Sequence, residues 1–411
     1  MSKKTIPVTI SPVEVVETYL DAFARLRTSN PLSLFDSQHQ YNLQPLFWSD
    51  ATVGGATIVH LPNEATVRLR AGTASGDKAT HQTKEYFRYQ PGKSQQVVMT
   101  GIFGTGKTGV AQRLGYFDDN NGLFFQVSGT TLSVVRRSKA TGSVVEETVT
   151  QSSWNLDKFD GSGSSGVTLD VTKTQVYLID FEWLGSGRVR MGFFIDGLPV
   201  YCHQFLHANV LSTVYMTTPN LPLRYQVENT AAAASATDLK AICATVVSEG
   251  GFERARGVTH SANNGTTTIS VSTRRAVLSI RPKLTFNSIE NRGLVLPQVY
   301  RILDDGNVSI FYEIVLNATL GGVPSWVSVA DNSLIEYDVA GTTVTGGEVL
   351  DAGYVGSAAQ VSVGTVVEQI LRDVPLALNQ AGDTADILSI VCTSLGAGTA
   401  VAAALTVKEF Y

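Results

Sequence analysis

At 411 residues the chain is long enough for two or three domains whose cores need no disulfide staples. Charged residues are only 16% of it, the formal charge is −5, and Arg136-Arg137 and Arg274-Arg275 are isolated basic pairs, so a nucleic-acid footprint is not supported. Cys202, Cys243 and Cys392 lie far apart without metal-ligand spacing, which argues against a disulfide framework and for buried free thiols.

Near the start, Ser11-Pro12-Val13-Glu14 spells a capping box with proline at the first helical position. Val16, Tyr19, Leu20, Phe23 and Leu26 follow at helical spacing, and Asn30-Pro31 ends the predicted helix. Residues 32–50 are irregular and aromatic, with Phe35, Tyr41, Phe47 and Trp48. Short strands and turns follow to about Glu85, with Val67, Leu69 and Ala71 alternating. Residues 1–85 therefore read as a helix and docking arm, since exposed aromatics mark interfaces.

From Tyr86 onward the period is two. Asn121-Gly122 separates residues 113–117 from 123–127, Asp196-Gly197 separates 189–195 from 198–205, and Asp305-Gly306 separates 299–303 from 308–316. Each spelling predicts a hairpin between antiparallel strands. The fold class is therefore all-β: an antiparallel β-sandwich or jelly roll over 86–281, and a smaller β-sandwich-like domain over 282–411 that starts at Pro282. The opening Met-Ser-Lys-Lys leads into no apolar signal-peptide run, and the apolar stretch 400–407 is too short to cross a bilayer. The expectation is a soluble product made in a cytoplasm, without membrane insertion.

Three spellings invite a chemical reading. Gly101-Ile-Phe-Gly-Thr-Gly-Lys107-Thr108 matches G-x-x-x-x-G-K-[ST] throughout, and residues 176–180 end in Asp180 like a magnesium-binding strand. A phosphate loop needs a helix starting at the lysine and a parallel sheet behind it. Gly109, Gly115 and the Asn121-Gly122 turn leave room for neither, so Lys107 is expected in a turn where Gly104 and Gly106 let the chain reverse. Asp180 and Glu182 share a strand face, as paired carboxylates of a glycosidase would. Matching the apolar rows of that strand and the next places them beside Arg188 and Arg190, and ion pairing lowers a carboxyl pKa, the opposite of what a general acid needs. His203 and His207 make an H-x₃-H pair, but no third ligand lies near in sequence and a structural metal site takes four. No nucleophile elbow marks a catalytic triad.

A resemblance extends these readings. The segments are residues 86–95 (Tyr-Phe-Arg-Tyr-Gln-Pro-Gly-Lys-Ser-Gln), 113–118 with 121–125, 151–155 (Gln-Ser-Ser-Trp-Asn), 181–185 with 187–193, 215–222 (Tyr-Met-Thr-Thr-Pro-Asn-Leu-Pro) and 248–252. With these, the stretch from Tyr86 to about Thr285 resembles structural proteins of tailed bacteriophages, cyanophages among them, with a concanavalin-like jelly roll in the middle. The resemblance implies a virion structural protein of a tail, baseplate, neck or capsid surface, assembled in the host cytoplasm. Its partners would be other virion proteins and copies of itself. It implies no catalytic, cofactor-binding or metal residues, and the expectation is that the chain is not an enzyme and carries no cofactor. The alternative is a lectin-like receptor-recognition protein of a tail fibre or spike, holding a host-surface glycan on a jelly-roll face.

Overall fold

The computed structural model describes residues 29–253, 256–306, 308–356, 362–364 and 374–411, and the helix predicted from Ser11 lies outside them. Among the described residues the regular structure is strand, apart from one 3-10 turn at Gln151–Ser153.

Fifteen strands build the first unit: β1 (Leu32–Gln38), β2 (Trp48–Val53), β3 (Thr57–Leu61), β4 (Thr66–Ala71), β5 (Lys78–Thr83), β6 (Gln95–Phe103), β7 (Lys107–Phe117), β8 (Gly122–Gly129), β9 (Thr131–Ser138), β10 (Val145–Thr150), β11 (Gln175–Phe181), β12 (Val189–Ile195), β13 (Leu198–Phe205), β14 (Leu223–Asn229) and β15 (Thr237–Ser248). The first sheet runs β13-β12-β11-β6-β15-β4-β3, with β1 also paired to β15; the second runs β10-β9-β8-β7-β14-β5-β2. All of these pairings are antiparallel. The all-β jelly roll thus holds, and its cause is visible along β6, where alternate residues Val97, Met99 and Phe103 are buried. They meet Tyr116, Phe125 and Tyr225 of the facing sheet in one apolar core, as a period of two requires.

Two predicted hairpins form. At the first, the Asp118 carboxylate accepts from the Asn120 and Asn121 amides at 2.8 and 2.7 Å. At the second, Asp196 (φ 48°) and Gly197 (φ 84°) both adopt left-handed backbone, the geometry of a type I′ turn. Asp305-Gly306 does not make a hairpin. Residues Leu294–Asp304 and Ile310–Leu316 lie in different sheets, so this turn carries the chain across the sandwich. The partner of each strand is chosen by burial elsewhere.

The docking arm also needs correcting. β1 pairs with β15, β2 closes the second sheet on β5, and Trp48 is only 2% exposed, with its indole N–H on Ser37 Oγ at 2.9 Å. Phe35 packs against Phe47, Trp48 and Phe87. These aromatics are core, so removing residues 1–50 would take β1 and half of β2 from the sandwich.

The second unit begins earlier than Pro282. Strand Arg275–Pro282 pairs with Ile335–Asp338 and Leu388–Ser394 in a six-stranded sheet. Val258–Asn263 and Ile269–Val271 pair with Thr399–Phe410 in the sheet facing it. Leu278, Ile280, Tyr300, Ile314, Ile390 and Leu405 belong to the core between them. Local sequence identifies a strand here but not which sandwich receives it. At the seam between the units, Lys84 pairs with Asp386 at 3.1 Å, and the Arg88 and Arg292 guanidinium groups sit 4.6 and 4.5 Å over the Phe410 and Tyr86 rings. Burial there pushes the Glu85 carboxyl up to about 8.

Candidate functional site

The P-loop spelling forms no phosphate loop. β6 ends at Phe103 in the first sheet, β7 starts at Lys107 in the second, and residues 104–106 cross between them. Lys107 Nζ donates to the Ala236 carbonyl at 2.5 Å. The Gln112 side-chain amide clamps Gly104, accepting from its N–H at 2.7 Å and donating to its carbonyl at 3.0 Å. Glycine is needed at 104 for space: a Cβ there would lie 2.4 Å from the Asp238 carbonyl oxygen. Gly104→Ala is therefore expected to destabilise the first unit by about 2 kcal/mol through forced backbone movement, read as a lower denaturant midpoint at unchanged slope.

Asp180 faces Arg190 in register on β12, as the apolar rows predict, and the two are ion-paired. The Tyr201 hydroxyl also donates to Asp180 Oδ2 at 2.8 Å, and the Arg190 guanidinium covers the Tyr201 ring at 4.3 Å. Burial, and then this bond to Asp180, push the Tyr201 phenol up. Glu182 differs from expectation, accepting from the Arg188 backbone N–H at 3.2 Å. His203 Nδ1 accepts from the Asn155 amide at 3.3 Å, while His207 Nδ1 donates to the Gly187 carbonyl at 2.6 Å and its ring stacks on Tyr215. Burial lowers both imidazoles. Among the described residues no group of three or more His, Cys, Asp or Glu side chains could hold a metal. Cys202 and Cys392 are buried thiols, as expected, but Cys243 is exposed.

Five of the segments carrying the resemblance, 86–95, 113–118, 121–125, 181–185 and 215–222, converge on one another. The Tyr116 hydroxyl, fully buried, lies 2.9 Å from the Pro219 carbonyl and 3.1 Å from that of Phe87, and accepts from Gln95 Nε2 and the Leu221 amide at 3.1 Å each. Tyr89 takes the Asn220 carboxamide oxygen on its N–H at 2.8 Å, and its hydroxyl accepts from the Trp183 amide at 3.0 Å. The Trp183 indole donates to the Met216 carbonyl at 3.1 Å, and the Tyr215 hydroxyl to the Glu182 carbonyl at 2.9 Å. Asn121 and Thr217 exchange two further bonds of 2.7 and 2.9 Å. The loop 215–222 is thereby clamped to both sheets, which is how scattered residues come to share one hub.

The outer face of the second sheet is polar and bonded mostly within itself, with Gln82 Nε2 left without a partner. Arg224 Nε donates to Gln82 at 2.6 Å, Arg113 donates to Gln126 and Glu228 at 2.7 and 2.8 Å, and Gln226 donates to Glu228 at 3.1 Å. Arg224, Gln82 and Gln226 are no more than 2% exposed. Those hydrogen bonds are spent within the sheet.

A different set of residues, which sequence reasoning missed, opens on a cleft of about 380 Å³ lined by Asn42, Leu43, Pro45, Trp48, Asp50 and His60. Behind it runs a relay. Asp50 Oδ1 meets His81 Nδ1 at 2.5 Å, and His81 Nε2 meets His39 Nε2 at 3.3 Å. Trp48 stacks flat on His81, with ring centroids 4.3 Å apart. Burial, with His81 beside it, pulls the His39 imidazole down to about 3. His39, Asp50, His60 and His81 come from one loop and three strands at no motif spacing, so only the pairing of β2 with β5 and the approach of β3 bring them together.

No family model matches the sequence, and no curated protein matches it significantly. Solved structures do share its fold. An endo-acting O-glycanase of the human gut microbiota is 13% identical, covering 53% of this chain and 99% of its own, with a TM-score of 0.38. A glycosyl hydrolase family 16 protein from Mycobacterium smegmatis is 10% identical over 52% of this chain and 100% of its own, with a TM-score of 0.34. A legume lectin-like domain from Entamoeba histolytica is 10% identical over 52% of this chain and 97% of its own, with a TM-score of 0.31. Because glycosyl hydrolases stand among these neighbours, the expectation that the chain is not an enzyme is overturned and withdrawn. At such identities the likeness is one of fold and assigns no reaction to this chain.

Proposed function

We propose that this chain is a structural component of a tailed-bacteriophage particle, part of a tail, baseplate, neck or capsid surface, acting through assembly with other virion proteins and with its own copies. The observation that supports this reading is the hub. Most of the segments behind the resemblance are spent on clamping one loop to both sheets, a satisfied buried polar network that rigidifies a scaffold. The test is a mass-spectrometric inventory of particles purified from the phage whose genome encodes the chain. It should be present at a copy number fitting a symmetric assembly, and its absence from intact particles would sink the proposal.

A second reading, glycan recognition by the same particle component, is favoured by the cleft beside Trp48 and Asp50. Reproducible binding on a glycan array would support it, and it is compatible with the first because receptor-binding parts of a particle are themselves structural.

A further inference from the structure

Two polar surfaces of the jelly roll compete as the place where a glycan would sit, and they differ in unspent hydrogen-bonding capacity. On the outer face of the second sheet, Arg113, Arg224, Gln126, Gln226 and Glu228 are bound to one another. A ligand there must first break charge-assisted bonds, each worth more than a sugar hydroxyl returns. The cleft is the reverse. Asp50 uses one carboxylate oxygen on His81, and its Oδ2 has no partner among the described residues. Asn42 uses its carboxamide oxygen to accept from the Gln44 amide at 2.7 Å, leaving both Nδ2 protons unspent. His60 donates Nε2–H to the His39 carbonyl at 2.9 Å, which fixes Nδ1 as an unused acceptor.

We propose that the cleft formed by the loop after β1 together with β2 and β3 binds a neutral saccharide, its ring over Leu43 and Pro45 and its hydroxyls shared among Asp50, Asn42 and His60. This rests on the glycan-recognition reading and gives it a location away from the sheet face. The volume of about 380 Å³ falls in the range of small-ligand sites. An anionic sugar is repelled by the Asp50 carboxylate, and no lysine or arginine lines the cleft to offset it. An organic cation would use the two acceptors, Asp50 and His60, and leave the Asn42 amide idle. A neutral hydroxylated ring uses all three and sets its apolar face on Leu43 and Pro45.

The experiment is an array of neutral, sialylated and amine-bearing oligosaccharides probed with the full chain, followed by titration calorimetry with the best neutral hit. Asn42→Ala, Asp50→Asn and, as a control on the other surface, Glu228→Gln are compared with the parent. Expected is binding of a neutral saccharide that Asn42→Ala and Asp50→Asn each weaken at least tenfold while Glu228→Gln leaves it unchanged. Asn42 is exposed, so its variant keeps the test valid if Asp50→Asn unsettles the relay. Glycan binding that survives Asn42→Ala overturns the location and leaves glycan recognition standing, as does binding lost only in Glu228→Gln. Preference for sialylated or amine-bearing sugars overturns the ligand class. No binding by the parent protein overturns both the proposal and the reading on which it rests.

Discussion

Removing one oxygen atom, by Tyr116→Phe, is expected to lower the stability of the first unit by about 3 kcal/mol, because each buried polar group left unpaired costs about 1–3 kcal/mol. The hydroxyl is the acceptor for both Gln95 Nε2 and the Leu221 amide, and its own proton goes to the Phe87 or Pro219 carbonyl. Tyr116 is fully buried, so water cannot take over any of these bonds. Phenylalanine keeps the ring packing against Phe181, whose centroid is 5.4 Å away, which isolates the polar loss. Fluorescence-detected urea unfolding suits the measurement, since Trp48, Trp154 and Trp183 all lie in the first unit. A loss below about 1 kcal/mol would show that the loop 215–222 is held mainly by its apolar contacts.

Acid is expected to weaken the fold through His39. In the folded chain burial keeps this imidazole neutral down to about 3, whereas the unfolded chain protonates it near 6.5. The unfolded state therefore binds more protons between those values, and the stability contributed by neutral His39 above pH 6.5 is lost as pH falls through that window. The full effect is on the order of 5 kcal/mol. Glu85 acts with the opposite sign. Its folded value of about 8 lies above the unfolded 4.5, so its contribution is complete below pH 4.5 and is lost as pH rises toward 8. Because the two oppose one another between pH 4.5 and 6.5, the useful quantity is a difference. The stability of the parent relative to His39→Leu should fall by about 2.5 kcal/mol from pH 7 to pH 4.5. A gap independent of pH would mean that His39 takes up its proton without unfolding.

The P-loop spelling shows how far local sequence reaches. Its eight residues match a phosphate-binding loop, yet Gly104 is there because the Asp238 carbonyl approaches from β15, and Lys107 meets the carbonyl of Ala236. What defeated the spelling was visible downstream: glycines, a hairpin turn and no room for a helix. Asp180 opposite Arg190 was readable for a similar reason, since two alternating strands joined by a tight turn admit one register. By contrast, Asp305-Gly306 did not show which sheet each flanking strand joins, and Phe35, Phe47 and Trp48 looked like a docking arm because nothing local reveals that β1 and β2 are claimed by β15 and β5.

By itself, then, the sequence determined the all-β class, the register of neighbouring hairpins and the failure of the phosphate loop, because period-two burial and turn chemistry act over a few residues. Tertiary structure alone decided that the second unit starts before Pro282. It also decided that five of the resemblance segments close into one hub around Tyr116, and that His39, Asp50, His60 and His81 meet at one cleft. Those outcomes depend on which distant strands pair, and pairing is settled by burying both faces of two sandwiches at once, a quantity no local window contains.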